Sequence, residues 1–430
     1  MTASTTATRL ARRRAPASRW ARLRRSRHLK PYNRLAALVV AGNALAFALL
    51  PQPTPEQAFT AAGINVFVAA LVRQQYVINL LFRMATGASH SLPLRTRWAL
   101  GKIYSFGGVH VGAAIGATAW YVVFTVGTFA ASASPLFLTT SSFASLILLA
   151  MLVTSLPSAR VRHHDAFELT HRFGGWMLLL LVWVQTIGML AQTDATPEQY
   201  LGSAPIWLLA ATTVSIALPW LRLRRVPVEI ETPSGHVAIA RFDYGVTPFA
   251  GSSTAISRSP LREWHAFANI PAPGQSGFRL AISRAGDWTS RLIDDKPRHL
   301  WVKGIPTAGV GNIDRLFTQV LWVATGSGIG PCLPHLLART APAHLVWSAR
   351  SPVETYGPSL VTEIRDAVSD ALIWDTRADG KPDLLALVRQ AVRTSGAEAV
   401  ICISNATTTW SLVEGLEREG VPAFGAIWDS

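Results

Sequence analysis

The sequence predicts a membrane all-α bundle of six helices, followed by an antiparallel β-barrel and an α/β domain on a parallel sheet. Three observations predict it. Six stretches are apolar enough to cross a bilayer. Short alternating strands replace them after residue 225. Further on, Val-Ala-Thr-Gly-Ser-Gly-Ile-Gly-Pro at 323–331 sits where a strand turns into a helix. The boundaries that follow are a basic tail at 1–34, the helices at 35–221, the barrel at 226–316 and the α/β domain at 317–430.

A length of 430 residues suits two or three domains. Half the residues are hydrophobic and only 15% are charged, which fits a membrane chain with a soluble portion. The net charge of +15 is concentrated at one end: residues 1–34 hold eleven Arg or Lys and no acid. Such a run beside an apolar helix reads as a cytoplasmic tail on anionic lipid, and the nearly balanced remainder does not imply nucleic-acid binding. Its basic region is too long for a signal peptide, so the first helix reads as an uncleaved anchor. Cys332 and Cys402 are the two cysteines, so there is no disulfide framework, which suits a reducing compartment.

The expected spans are 35–51, 58–82, 99–129, 136–156, 167–191 and 204–220. Most reach the ~20 residues a crossing helix needs. Arg83, Arg95, Arg97, Arg160, Arg162, Arg222, Arg224 and Arg225 fall in alternate loops, and the loops near 51–57, 130–135 and 192–203 hold no Lys or Arg. The basic loops face inward. A multi-pass protein of the cell membrane with both termini cytoplasmic is therefore expected.

Ionisable groups within spans are costly and point to function. His110, in Gly-Gly-Val-His-Val-Gly, is expected ~16 Å above the inner end of the third span. His171, in Thr-His-Arg-Phe-Gly-Gly-Trp, lies at a shallower depth on the fifth, and Arg73 at a comparable depth on the second. Two neutral imidazoles can ligate a haem iron axially, with an Arg beside a propionate. Gly107, Gly108, Gly112, Gly174 and Gly175 would let a flat macrocycle approach. The competing reading is tight helix packing at glycine, with each His bonded to a neighbour.

After Arg225, Val-Pro-Val-Glu-Ile-Glu-Thr and Gly-His-Val-Ala-Ile-Ala-Arg alternate around Pro-Ser-Gly as a hairpin. Strands at 261–268, 277–284 and 299–304 complete a small antiparallel barrel. From 319, strands alternate with helical stretches, giving a parallel sheet. Gly326, Gly328 and Gly330 allow a sharp turn and close approach of a phosphate, and Pro331 suits a first helical turn.

This order of elements resembles the ferredoxin–NADP reductase superfamily. With the helical leader, it is similar to membrane ferric reductases and NADPH oxidases, and most of all to TmpA-type integral-membrane flavoproteins, over residues 35–430. The resemblance implies FAD, NADPH or NADH, and at most one haem b. Trp264-His265-Ala266-Phe267 resembles the family's flavin strand, without its Pro and Thr. Arg284, Gly286, Trp288 and Thr289 resemble the turn under the FAD pyrophosphate. Ser348 and Arg350 fall at the family's 2′-phosphate site, and no acid follows that strand end, which favours NADPH. Gly380-Lys381 resembles a Gly-Arg-Pro loop. Cys402 stands in the place of the Cys-Gly-Pro turn, without its Gly-Pro, and Trp428 where relatives stack an aromatic on the flavin. The residues near 124 and 184–185 are Phe, Val and Gln where the family carries outer histidines, so an outer haem is not expected. The implied activity is electron transfer from NAD(P)H through FAD to an inner haem or another membrane acceptor. The altered Cys-Gly-Pro turn leaves a second reading open, a haem-free regulatory nucleotide-binding protein with little turnover.

Overall fold

The structure is a computed structural model that describes residues 29–192, 196–271, 274 and 276–425. Most of the basic tail and Trp428 lie outside them.

The helical half comprises α1 (Pro31–Leu49), α2 (Pro55–Leu71), α3 (Gln75–Thr86), α4 (Leu94–Leu100), α5 (Gly107–Ala130), α6 (Pro135–Thr154), α7 (Pro157–Arg162), α8 (His164–Ala191), α9 (Pro197–Gly202) and α10 (Ala204–Leu221). Among the described residues, five helical stretches are long and apolar enough to cross a membrane, or six if the bent pair α2–α3 counts as one. Two expected spans differ from the structure. The stretch 58–82 breaks after Leu71, and α3 leaves at 69° to α2. No Gly or Pro lies at the break. Gln74 caps the new helix, its Oε1 accepting from Tyr76 N at 2.6 Å, and Asn79 binds Pro306 O and Ala308 N at 2.9 and 2.8 Å. The second half of that span is thus drawn onto the soluble domains. The stretch 99–129 begins instead with a 3-10 segment, Gly101–Phe106, and α5 starts at Gly107. His110 therefore stands one turn into its helix, about 5 Å from the start rather than ~16 Å.

In the upper bundle, Phe124 is buried, and Gln185 accepts from Tyr121 Oη at 2.6 Å and donates to Ser141 Oγ at 3.1 Å. Asn43 and Asn65 exchange reciprocal amide bonds at 3.0 and 2.8 Å, and Trp120 Nε1 donates to Asn43 Oδ1. Satisfied polar groups of this kind join helices where water is absent.

The strands are β1 (Leu223–Pro227), β2 (Glu229–Ser234), β3 (Val237–Phe242), β4 (Ser252–Ser257), β5 (His265–Ala268), β6 (Phe278–Ser283), β7 (His299–Lys303), β8 (Thr307–Ala308), β9 (Val320–Thr325), β10 (Ala343–Ala349), β11 (Leu372–Asp375), β12 (Ala399–Ile403) and β13 (Ala423–Gly425). The antiparallel half forms two sheets, β2-β3-β6 and β1-β7-β4-β5 with β8 on β4, in place of the expected closed barrel. The expected strand 261–268 is confined to β5, because Glu263 accepts the amides of Arg258 and Ser259 at 3.0 Å and holds 258–264 as a turn. The hairpin β2–β3 and strands β6 and β7 lie where the alternation places them.

The last domain is a wholly parallel sheet, ordered β11-β10-β9-β12-β13. Its helices are α12 (Ile329–Ala338), α13 (Pro352–Tyr356), α14 (Pro358–Ala367), α15 (Leu384–Ser395) and α16 (Ala406–Arg418); the earlier helix α11 (Asp287–Asp295) belongs to the antiparallel domain. One core runs through both halves. Ile78 and Phe82 of α3 join Phe317, Trp322 and Phe424 in one buried cluster, and Trp98, Leu100 and Phe106 pack against it. Polar clamps frame it: Arg97 binds Glu398 at 2.7 Å and Leu316 O at 2.9 Å, and Lys102 binds Glu417 at 2.6 Å.

Candidate functional site

The glycine turn closes the C-terminal end of the central strand β9. Gly326 takes φ +50°, a backbone region that side chains disfavour. A Cβ at Gly328 would lie 2.1 Å from Ile403 O, so this backbone passes against β12 with no room to spare. Trp347 Nε1 donates to Gly326 O at 3.0 Å, and the Thr325 and Ser404 hydroxyls bond across the turn. Helix α12 begins at once, its N-terminal amides available to an anion. Pro331 occupies its first turn, and a Cβ at Gly330 would lie 3.6 Å from Ala281 of β6. The turn therefore meets the antiparallel domain at a seam, where α12 packs on β5 and β6.

On β5, His265 and Phe267 share a face, and Phe267 packs with Trp288 against the antiparallel domain's own core. Trp288 stacks on His265 at 4.1 Å and lies 6.2 Å from Phe267. His265 Nε2 is buried with no hydrogen-bond partner, and burial lowers its pKa. Trp264 faces the other way. Its ring lies 6.2 Å from Trp220 at the end of α10, with Lys303 Nζ 4.6 Å above it. Burial, aided by Arg172, lowers the Lys303 pKa to about 8.

Three expected roles change. Arg284 is spent on Asp294, at 2.6 and 3.0 Å, and on Gly235 O at 2.8 Å, so it does not offer a free guanidinium to a pyrophosphate. The Ala285 and Gly286 amides likewise donate to Thr289 Oγ1 at 2.9 and 3.1 Å, a self-capped helix start. Cys402 lies on the wrong face of β12. It is fully buried among Leu321, Val323, Leu412 and Val413, and burial pushes its thiol up to about 12. Strand alternation turns Ile401 and Ile403 into the other core cluster and leaves Ser404 at the turn.

Arg350 is exposed at the end of β10, whereas Ser348 is buried between Thr325 and Trp374. Lys381 is exposed, and Gly380, at φ +73°, accepts from Trp374 Nε1 at 2.8 Å. An acid does reach this edge, from the neighbouring strand. Asp375 Oδ1 accepts from Arg377 N and Ser351 N, each at 2.9 Å, and those amides lower its pKa. Sequence order hides it, because β11 follows β10 by a full helix crossover.

In the bundle, the His110 and His171 ring centroids are 6.0 Å apart. His110 Nδ1 bonds Ala69 O at 2.9 Å; a carbonyl only accepts, so the proton is on Nδ1 and the Nε2 lone pair is left over. His171 Nδ1 is buried without a partner. Two imidazoles this close, each with a ring nitrogen left over, are the donor set a haem would need. The glycines do not supply its cleft: Gly108 and Gly112 press on the Tyr32 and Ala36 carbonyls of α1, and Gly174 on Ile147 and Met151. They serve helix packing.

Trp347, Tyr356, Ser404 and His335 are contributors that sequence reading missed. Tyr356 Oη stands 3.9 Å from the Cβ position of Gly326, with its pKa raised to about 12 by burial. His335 of α12 bonds Asp314 at 2.8 Å, both buried, and its ring fills the space beside Gly251 and Gly311. None belongs to a local motif.

Two antiparallel sheets are thus followed by a parallel sheet with a glycine turn after its first strand. The sequence relatives are adenylate-forming reductases. Adenylate-forming reductase 06235 of Coprinopsis cinerea is 42% identical over 413 residues, 93% of this chain and 40% of that protein. Adenylate-forming reductase 03009 of the same organism is 41% identical over the same length. The family model for the C-terminal domain of adenylate-forming reductase 03009 matches residues 310–430. The chain spans about two fifths of the length of these relatives. Solved structures that overlap it include a ferredoxin NADP+ reductase from Neisseria gonorrhoeae with bound FAD and NADP (TM-score 0.39, 13% identity, 48% of this chain and 98% of that one). A ferredoxin reductase of carbazole 1,9a-dioxygenase overlaps at TM-score 0.37 and 14% identity, over 48% of this chain and 70% of that one.

Proposed function

We propose that this chain is a membrane-embedded NAD(P)H-dependent flavoprotein oxidoreductase of ferric-reductase-like type. It draws reducing equivalents from a cytoplasmic dinucleotide and delivers them to an acceptor at the inner end of the bundle. The observation that carries the reading is the junction of the two domains: the helix that follows the glycine turn packs on β5 and β6, strands of the domain that carries His265, Phe267 and Trp288. The Gly326–Gly330 backbone and the start of α12 would hold the dinucleotide pyrophosphate. His265, Phe267 and Trp288 would pack a flavin ring, with His265 Nε2 awaiting a hydrogen bond. Bound FAD supplies two-electron acceptance and one-electron release. Exposed Arg350 and Lys381 favour a 2′-phosphate, hence NADPH, while Asp375 keeps NADH in play. His110 and His171 would hold one haem b through their free nitrogens, and it would supply single-electron transfer.

The positive-inside arrangement and the apolar helices support placement in the cell membrane with both termini cytoplasmic. The test is the visible spectrum of detergent-purified protein before and after NADPH. A flavin band that bleaches is expected. A colourless sample overturns the reading, and a flavin that binds but is not reduced favours the regulatory alternative.

A further inference from the structure

We propose that the crevice between the α2–α3 break and the first turns of α5 and α8 binds the oxyanion of a lipid-soluble molecule, a phosphate or a carboxylate, with the Arg73 guanidinium as its principal ligand. The proposal rests on the membrane reading above and adds to it a ligand for Arg73.

The break creates the site. Arg73 N turns to Ala70 O at 3.1 Å, in 3-10 fashion, and His110 Nδ1 takes up Ala69 O. The chain then turns 69° away, leaving the Arg73 side chain at the corner. Its guanidinium passes 3.9 Å from the Cβ position of Gly107, beside the Tyr32 ring. The side chain stays exposed although helices surround it, so it lines a crevice instead of packing.

The charges around it are of one sign. Among the described residues Arg73 makes no ion pair; its electrostatic neighbours are the phenol of Tyr32, neutral at ordinary pH, and Arg160, His110 and His171. Glu168, one turn below His171, is engaged by Arg172 and His164. An uncompensated guanidinium at bilayer depth is costly, and such charges pair with a counter-charge or face water. Among the described residues no carboxylate pairs with Arg73, and guanidinium geometry suits a planar carboxylate or a phosphate. Two sources carry that chemistry within a membrane: an anionic phospholipid, or a tetrapyrrole whose acid groups would reach Arg73 from the imidazole pair.

The full chain is purified in a mild non-ionic detergent with added phosphatidylglycerol or phosphatidylcholine, and its retained molecules are read by native mass spectrometry and visible absorbance. Wild type is expected to keep phosphatidylglycerol over phosphatidylcholine, or to show a Soret band. Arg73→Gln should weaken retention about tenfold or more, as loss of a charged hydrogen bond does, and Arg73→Lys should keep most of it. Neither species on wild type, or equal retention by Arg73→Gln, overturns the site. The wild-type measurement stands even if the Gln variant fails to fold. Membranes washed in alkaline carbonate separate the two failures: release of the chain removes the membrane reading and this site with it, whereas retention with no bound oxyanion removes this site alone.

Discussion

At the residue scale, the glycine turn was legible and the cysteine was misread, for opposite reasons. A glycine that must pass a neighbouring backbone is a local demand, visible in Gly-Ser-Gly-Ile-Gly after an apolar strand. Gly328→Ala would drive a methyl to 2.1 Å from Ile403 O. Such overpacking typically costs 1–3 kcal/mol, so NADPH affinity should fall about tenfold or more while the flavin stays bound; titration of flavin reduction checks this. Cys402 matched a motif, but the face a strand residue takes depends on parity and on neighbours far along the chain. With its thiol in the core, Cys402→Ala should leave the rate of flavin reduction within about twofold of wild type and lower stability by about 1 kcal/mol. Stopped-flow and thermal unfolding read the two effects apart. Asp375 is the converse case, an acid delivered by sheet pairing. Asp375→Asn should raise the preference for NADPH over NADH, measured as a ratio of dissociation constants.

At the element scale, hydropathy found the helices but not their ends. No Gly or Pro marks the break at 72–74; Gln74 caps the new helix locally, and the rest of the cause lies some 230 residues away, where Asn79 meets Pro306 and Ala308. Arg95 and Arg97 read as inward loop charges; in the structure both lie in α4, and Arg97 is buried against Glu398. That contact holds the Glu398 carboxyl down to about 2, from 4.5. A depressed acid stabilises the fold above its ordinary pKa, so this contribution is complete above pH 4.5 and is lost as pH falls toward 2. Glu398→Gln should cost about 2 kcal/mol near neutrality, less than a fully buried pair because Glu398 is 26% exposed. The gap between variant and wild type should close as pH falls through that window, which unfolding midpoints measured across it would show.

At the scale of the whole molecule, the sequence divides at residue 225 and the structure does not. Composition changes there, but the buried cluster continues from α3 through the 3-10 segment to Phe317 and Phe424. Contacts between distant segments leave no trace in local composition, which is why the two halves read as separate. A fragment starting at residue 223 would bare the surface that Ile78, Phe82, Leu100 and Phe106 cover. It should aggregate or bind a hydrophobic dye where the full chain does not; a monodisperse fragment that reduces flavin at the full rate would contradict this.

The packing of Phe82 and Lys102 into the nucleotide-side domain has a practical corollary for anyone handling the protein. The sheet that would grip a water-soluble substrate is bolted to the end of a helical bundle that we propose faces lipid, so the two should melt together. A harsh surfactant that loosens that rim would then register first as a fading response to the reductant, well before any cofactor is shed.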